Sequence, residues 1–173
     1  MLRVRIIGMA LAVLALAGSL RAQDPNKPGI AVWSLFNSDQ FVLRAGWSEN
    51  HFEAGIEGIY RDDLAPDEAQ AYAVGVYGIY LVNPDAQFPI RGWIPGNLTF
   101  LPEFLPISLY LGAKCDLEFE NHKLMPAFLL GGYVKTGAHG SVGVEWQHAF
   151  TNWENVSKVT DSDVFLACLR FRF

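Results

Sequence analysis

Apolar and polar residues alternate strictly over residues 107–120. Every odd position from Ile107 to Phe119 is apolar, whereas the even positions are polar, small or amphipathic. Side chains alternate faces along a β-strand, so this period predicts a strand with one face that avoids water. The length of 14 residues exceeds the usual strand of about five or six. It suits a tilted strand that crosses a bilayer and extends beyond it.

Seven further segments resemble this stretch and are separated by polar or Gly-rich breaks. They cover residues 30–36, 41–48, 52–61, 71–82, 125–136, 141–150 and 164–173. In the fourth segment both faces are apolar, and an outward set that includes Tyr72 and Tyr80 would place aromatic rings near both membrane interfaces. Pro126 should lie near the start of its strand or at a bulge, because proline donates no ladder hydrogen bond.

Eight amphipathic strands predict an all-β fold, a closed eight-stranded antiparallel up-and-down transmembrane β-barrel. Closure is required because a bilayer tolerates no unpaired strand edge. No stretch after the N-terminal run keeps the apolar spacing of a capped helix. A secreted soluble β-sandwich is the alternative fold.

The N-terminus has the pattern of a secretory signal peptide, with Arg3 and Arg5 before an apolar run over residues 6–17 and small residues after it. We predict cleavage after Ala22, with Ser19 as second choice. A retained helical anchor is the alternative, although the run is short for a membrane span. No cysteine follows, which argues against lipoprotein processing.

Loss of residues 1–22 removes three arginines and leaves 10 Lys and Arg against 18 Asp and Glu, a formal charge of about −8. That charge argues against nucleic acid as a partner. The remaining residues 23–173 are enough for one domain, here the predicted barrel. Cys115 and Cys168 fall in different segments and on opposite parities, so we expect no disulfide, and no Cys or His spacing indicates a metal site.

The last ten residues end on a terminal phenylalanine with apolar residues at every second position before it: Phe165, Ala167, Leu169, Phe171 and Phe173. This pattern resembles the C-terminal sorting signal of bacterial outer-membrane β-barrel proteins. The resemblance implies a Gram-negative outer-membrane location, porin-like architecture and recognition by the barrel assembly machinery. Lipid and lipopolysaccharide would be its neighbours, and we expect a monomer. Aromatic belts at two interfaces would use the 12 Phe, 6 Tyr and 5 Trp of the chain.

In such a barrel the polar strand faces line a lumen that eight strands leave just wide enough for side chains. Charges of both signs should pair there, because an unpaired buried charge costs several kcal/mol. We predict a filled, salt-bridged interior without an open pore, and a narrow ion or proton path is the alternative. The predicted inward charges are Arg44, Glu53, Glu57, Arg61, Lys114, Asp116, Lys135, Glu145, Arg170 and Arg172.

Residues 83–106 do not fit the pattern, because they are Pro-rich and apolar yet connect two strands on the predicted periplasmic side. Small barrels normally have short turns there. We favour a lid under the barrel mouth. The alternatives are a segment in the membrane interface, anchored by Trp93 and Phe100, and a further short strand over residues 97–104. The predicted extracellular connections are 37–40, 62–69, 121–124 and 151–163.

Three of the four histidines, His51, His122 and His139, fall in or beside predicted turns, and we interpret them as solvated turn residues. His148 should instead face outward near the extracellular end of its strand, with Thr151 and Asn152 shortly after it.

The strand that carries His148 looks like the penultimate strand of the outer-membrane lipid A deacylases, which are also eight-stranded barrels. The resemblance implies an ester hydrolase in which an outward His activates a Ser two residues later and an acidic residue orients the His. Residues two apart share a strand face, so a base and its nucleophile can meet. Phe150 occupies the serine position here. Thr151 or Ser157 would have to supply the hydroxyl, and Asp161 or Asp163 the acid.

The sequence therefore predicts a small outer-membrane barrel with a structural or surface-interaction role and no cofactor. A lipid A ester hydrolase that uses His148 is the functional alternative. No phosphate-binding loop or catalytic carboxylate pair is present in the sequence.

Overall fold

The computed structural model describes residues 28–61, 71–83, 86–89, 104–119, 122–137, 139–150 and 163–173. The predicted signal peptide lies outside the described residues, as do residues 62–70, 90–103 and 151–162. Within the described ranges, no helix has the length and apolarity to cross a membrane.

The described residues form nine strands: β1 (Gly29–Phe36), β2 (Gln40–Glu49), β3 (Phe52–Arg61), β4 (Ala71–Leu81), β5 (Gln87–Pro89), β6 (Phe104–Glu118), β7 (Leu124–Lys135), β8 (Gly140–Ala149) and β9 (Asp163–Arg172). Eight of them match the predicted segments, with ends that differ by no more than three residues. The largest difference is in β6, which begins at Phe104 rather than at Ile107 and ends at Glu118, so that Phe119 lies in a turn.

One closed antiparallel sheet contains eight of these strands in the order β4-β3-β2-β1-β9-β8-β7-β6, and β4 also pairs with β6. Each of these eight strands therefore has a hydrogen-bonded neighbour on both sides, and none of them is left as a sheet edge. The predicted eight-stranded up-and-down barrel is confirmed. The alternative β-sandwich is wrong, because a sandwich needs two stacked sheets and here a single sheet closes on itself.

Residues alternate between the inside and the outside of the barrel along every strand. In β3, Glu53 and Glu57 are buried, whereas Phe52 and Ile56 are exposed. In β6 the even positions Ser108, Lys114 and Asp116 are buried, and the outward Leu109 and Leu111 are more than 40% exposed. The alternation of apolar and polar residues therefore predicted the inward faces of β3 and β6 correctly. In water this outer wall would be a large apolar surface.

Exposed aromatic residues occur at both ends of the outer wall. We call the end that holds Gly29 and Phe173 the terminus end and the other the opposite end. The terminus-end group is Trp47, Phe52, Tyr80 and Phe104, and the opposite-end group is Tyr72, Phe119, Phe150 and Phe165. Such paired belts are typical of barrels that span a bilayer.

The chain leaves β4 through a turn that continues the pairing along β6. The amide of Val82 donates to Leu109 O over 2.9 Å, and the Asn83 side-chain oxygen accepts from the Leu109 amide over 2.9 Å. Strand β5 then pairs with the first residues of β6, from Phe104 to Pro106. A short extra strand does occur in this connection, but at Gln87–Pro89. The predicted strand at 97–104 lies almost wholly outside the described residues, and so do the parts that would form a lid or an interfacial segment.

Pro126 is the third residue of β7, as predicted, and its carbonyl accepts from the amide of Phe150. His51, His122 and His139 lie between strands, also as predicted. Cys115 is half-buried on the outward face of β6, and Cys168 is buried on the inward face of β9, and both are free thiols.

Candidate functional site

The barrel interior carries the densest group of charged side chains in the described part of the chain. All ten predicted inward charges lie on inward strand positions. Seven of them are buried, and Arg61, Lys135 and Arg172 are half-buried near the strand ends. Burial in the lumen follows from strand parity, because each of the ten charges shares the parity of the inward residues of its strand, whereas Glu49 of β2 and Asp163 of β9 lie on the outward parity.

Arg44 lies at the centre of the first ion-pair group, which we call the Arg44 cluster. Its guanidinium contacts Glu57 on the neighbouring strand and, through Nη1, Glu145 Oε2 at 2.6 Å on the far side of the lumen. Lys114 Nζ lies 2.8 Å from Glu57 Oε1 and 2.8 Å from Asp116 Oδ2. The five residues therefore form one chain of alternating charge that links β2, β3, β6 and β8.

A second group, the Glu53 cluster, lies closer to the terminus end. Arg170 Nη2 is 2.9 Å from Glu53 Oε2 and 3.3 Å from Ser48 Oγ. Glu53 also accepts hydrogen bonds from the Trp33 indole and, over 2.9 Å, from the Tyr77 hydroxyl. The single carboxylate thus has one cationic and two neutral donors, which compensates for its removal from water.

Aromatic rings connect the two clusters. The Tyr77 ring lies 5.0 Å from the Arg44 guanidinium carbon, within cation–π range, while its hydroxyl binds Glu53. Tyr110 packs edge-on against Trp33 at 5.4 Å and donates to Glu145 over 2.8 Å. The lumen therefore holds a continuous network of charged and aromatic side chains.

Two glycines provide the space that these rings occupy. A Cβ on Gly131 would lie 2.3 Å from the Tyr110 ring, and a Cβ on Gly46 would lie 2.5 Å from the Tyr77 hydroxyl. Neither distance is compatible with a real side chain. The rings of Tyr77 and Tyr110 thus occupy space that glycine leaves open on β2 and β7.

Sequence reasoning missed several members of this network. We assigned the aromatic residues to the membrane interfaces, but Trp33, Tyr77 and Tyr110 are inside the lumen, together with Tyr133. Glu118 is also buried on the inward face of β6. Strand parity could have identified these residues as inward. Glu118 shares the even face of Lys114 and Asp116. Tyr77 lies on the face of β4 opposite to Tyr72 and Tyr80.

A separate polar group lies on the outer wall at the opposite end. His148 faces outward as predicted, and its Nδ1 is 3.0 Å from Asp163 Oδ1. The Trp146 indole donates to the same oxygen over 2.9 Å. Phe150 stands beyond His148 on the same face. Of the residues considered for a hydrolase, Asp163 is thus brought to His148, whereas Thr151, Ser157 and Asp161 lie outside the described residues.

Comparison with known proteins gives the fold and nothing more specific. No protein-family model matches the chain, and no curated protein matches it. A de novo designed transmembrane β-barrel is 13% identical, covers 88% of this chain and 100% of its own, and superposes with a TM-score of 0.52. Neisserial surface protein A is 15% identical over 84% of this chain and 94% of its own, with a TM-score of 0.47. The chain has the fold of a transmembrane β-barrel.

The predicted sorting residues lie at the seam where the barrel closes. Phe165, Leu169 and Phe171 occupy outward positions of β9, and Phe165 is 72% exposed. Phe173 exchanges two backbone hydrogen bonds with Ile30, of 3.0 and 2.8 Å. The C-terminal residues therefore complete the β1–β9 pairing, while their role as a sorting signal stays a prediction. No cluster of three metal-ligating residues occurs in the part of the chain that the structure describes.

Proposed function

We propose that the protein is a non-conducting β-barrel of the bacterial outer membrane that acts as a structural or surface-interaction element. Three features support the membrane location: the apolar outer wall, its two aromatic belts and the N-terminal pattern of a secretory signal. The even number of strands places both termini at one end of the barrel, and in our proposal this end faces the periplasm. The terminus end is then the periplasmic end, and the protein needs no cofactor for this role.

The observation that carries the proposal is the continuous side-chain network across the lumen. Arg44 reaches from β2 to Glu145 on β8, two strands that are not neighbours in the barrel. Tyr77 and Trp33 join this bridge to Glu53. A hydrated ion would have to displace charged groups that already have protein partners, at a cost of several kcal/mol. The network favours a plug over the alternative ion path.

Conductance in planar bilayers tests the plug directly. We expect the refolded wild-type protein to show no stable openings. A variant that removes the central bridge and two bulky rings, Arg44→Ala with Trp33→Ala and Tyr110→Ala, should show openings if it still folds. Stable openings of the wild-type protein would contradict the proposal. A conservative companion, Arg44→Lys, keeps a cation in the lumen and should stay closed.

A lipid-facing ester hydrolase is the second candidate, and the pairing of His148 with Asp163 favours it. A carboxylate at Nδ1 orients an imidazole and leaves Nε2 as a general base. The pair is exposed at the opposite end of the outer wall, where lipid head groups would lie in the proposed orientation. Phe150 cannot be the nucleophile, so the base would have to activate water or a hydroxyl from outside the described residues.

Incubation of the purified barrel with lipid A tests whether it is an ester hydrolase. Release of an acyl chain by the wild-type protein, and its loss in both His148→Ala and Asp163→Asn, would support a hydrolase. If no acyl chain is released, or if release is unchanged in His148→Ala, the pair is part of the outer polar surface and the structural role stands alone.

A further inference from the structure

Two carboxyl groups of the Arg44 cluster face each other across a glycine. The strand register sets Gly75 of β4 opposite Glu57 of β3 on one side and opposite Asp116 of β6 on the other. All three positions point into the lumen. A Cβ on Gly75 would lie 2.0 Å from Asp116 Oδ1, so the Asp116 carboxyl occupies the space that glycine leaves open.

The Asp116 carboxyl is fully buried, and no donor is aligned with either of its oxygens. Lys114 Nζ lies 2.8 Å from Asp116 Oδ2 and 2.8 Å from Glu57 Oε1, but only its contact with Glu57 has the geometry of a hydrogen bond. The two carboxyl groups are also within hydrogen-bond reach of each other. Ionised carboxylates only accept, so their contact becomes a hydrogen bond when one of them carries a proton.

The charge of the Arg44 cluster favours a bound proton. Its two cations, Arg44 and Lys114, face the three carboxyl groups of Glu57, Asp116 and Glu145, and all five side chains are buried. Fully ionised, the cluster would hold one uncompensated negative charge away from water, which is strongly unfavourable. One proton between two neighbouring acids removes that charge. A metal ion would do the same, but no group of three metal-ligating side chains occurs in the described ranges.

The surrounding strands do not provide the donor that Asp116 lacks. On β7, Asp116 pairs with Met125, which does not ionise, and Lys135 lies at the terminus end. The hydroxyls of Tyr110 and Tyr77 are bound to other carboxylates. The remaining inward titratable groups on the strands beside Asp116 are Glu118 on β6 and Arg61 on β3. None of these groups donates a hydrogen bond to Asp116.

We propose that Asp116 and Glu57 form a proton-binding site in the lumen, in which Asp116 carries one proton at neutral pH and donates it to Glu57. Glu57 is the ionised partner, because it already accepts from Arg44 and Lys114. Release of the proton adds one negative charge to the centre of the lumen, so the charge of the network depends on pH. The inference rests on the lumen packing, goes beyond the proposed structural role and does not depend on the membrane location.

Infrared spectroscopy of the refolded barrel tests for the proton, because a protonated carboxyl has a C=O stretching band that a carboxylate lacks. The detergent must contain no ester, whose carbonyl would overlap that band. At neutral pH we expect the band in the wild-type protein and its loss in Asp116→Asn. Glu53→Gln is the matched control, since Glu53 is an equally buried carboxylate with one cationic and two neutral donors, and the band should remain. Glu118→Gln should also retain it.

Isotope labelling assigns the band without any substitution. Incorporation of aspartate that carries 13C at its side-chain carboxyl should shift the band of the wild-type protein, whereas glutamate labelled in the same way should not. This measurement keeps the test decisive if Asp116→Asn folds poorly.

Stability gives an independent test, because asparagine imitates a protonated aspartate: its amide keeps one acceptor and supplies a donor toward Glu57. Asp116→Asn should leave the urea midpoint of unfolding unchanged at neutral pH. Glu53→Gln should lower the midpoint, because Arg170 loses its carboxylate. An equal decrease in both variants would mean that Asp116 is ionised in the folded barrel, and the proton site would be wrong.

The spectra can also overturn the site. No band in the wild-type protein at neutral pH, a band that persists in Asp116→Asn, or a band that shifts with labelled glutamate instead of labelled aspartate would each contradict it. Stable conductance of the wild-type protein would instead contradict the proposed plug while leaving these spectra unchanged. Failure of the proton site and failure of the proposed function are therefore distinguishable.

Discussion

At the residue scale, Arg44 shows why the lumen charges must be considered together. Its guanidinium is fully surrounded by protein and contacts both Glu57 and Glu145. Removal of a charge from water is compensated only by close partners, and removal of one partner leaves the others buried and uncompensated. Arg44 holds two carboxylates, so its loss should be among the most damaging single changes in the lumen.

We expect Arg44→Met to destabilise the folded barrel by about 3–5 kcal/mol. Methionine retains much of the side-chain volume, so the loss reports on charge rather than on a cavity. Urea unfolding of the barrel refolded in lipid vesicles measures the free energy. A second change, Glu145→Gln, added to Arg44→Met, should recover part of the loss, because it removes one of the two stranded carboxylates.

Arg172→Met is the control for this prediction. Arg172 lies on the same inward face as Arg170 but is half-buried near the terminus end, where water lowers the energy of each ionic contact. Its replacement should cost less than about 1 kcal/mol. Equal effects of Arg44→Met and Arg172→Met would mean that burial does not determine the energy of these charges.

Strand parity could predict which side chains enter the lumen but not which of them meet. Arg44 and Glu145 are far apart in sequence and lie on strands separated by β1 and β9. Their contact depends on strand tilt and on the register around the closed barrel, and a single strand pattern contains neither. The same limit applies to Asp163, since its pairing with His148 follows from the β8–β9 register.

At the element scale, the eight long strands were predictable because each keeps its alternation over many residues. Strand β5 was missed because three residues, one of them Pro89, give no detectable period. The early start of β6 was missed for a related reason, since Pro106 interrupts the ladder pattern. Pairing with β5, a tertiary contact, extends β6 beyond the alternating stretch.

Two glycines in β3 give a matched test of the inward and outward faces. A Cβ on the inward Gly55 would lie 2.1 Å from Ala45 O and 2.4 Å from Gly46 Cα, both backbone atoms that cannot move independently. Gly55→Ala should therefore destabilise the barrel by about 1–3 kcal/mol. The outward Gly58 has open space, so Gly58→Ala should be neutral or stabilising by up to about 1 kcal/mol.

Urea unfolding in the same vesicles measures both glycine variants. A loss of stability in Gly58→Ala as large as in Gly55→Ala would show that the two faces of β3 are equally crowded. That result would be incompatible with a wall that faces fluid lipid on one side and a packed lumen on the other.

At the scale of the whole molecule, closure turns a repeated local pattern into a membrane protein. The β1–β9 and β4–β6 pairings leave each barrel strand with two neighbours, so the backbone donors of the wall are used internally. Sequence alone predicted this result from the even number of strands. It could not predict the lumen packing. That packing also depends on glycines, and glycine gives neither an apolar nor a polar signal in the alternating pattern.

The proposed orientation places the long connection between β4 and β6 in the periplasm and the connection between β8 and β9 outside the cell. Each contains a trypsin site, Arg91 in the first and Lys158 in the second. In intact cells we expect trypsin to cut at Lys158 and to leave Arg91 uncut. Permeabilisation of the outer membrane should then expose Arg91.

The two fragments differ in size and can be told apart on a gel or by mass. The Lys158 cut serves as the internal control for protease access, so an uncut Arg91 is informative only when Lys158 is cleaved. Cleavage at Arg91 in intact cells, with Lys158 protected, would require the barrel to be inserted in the opposite sense.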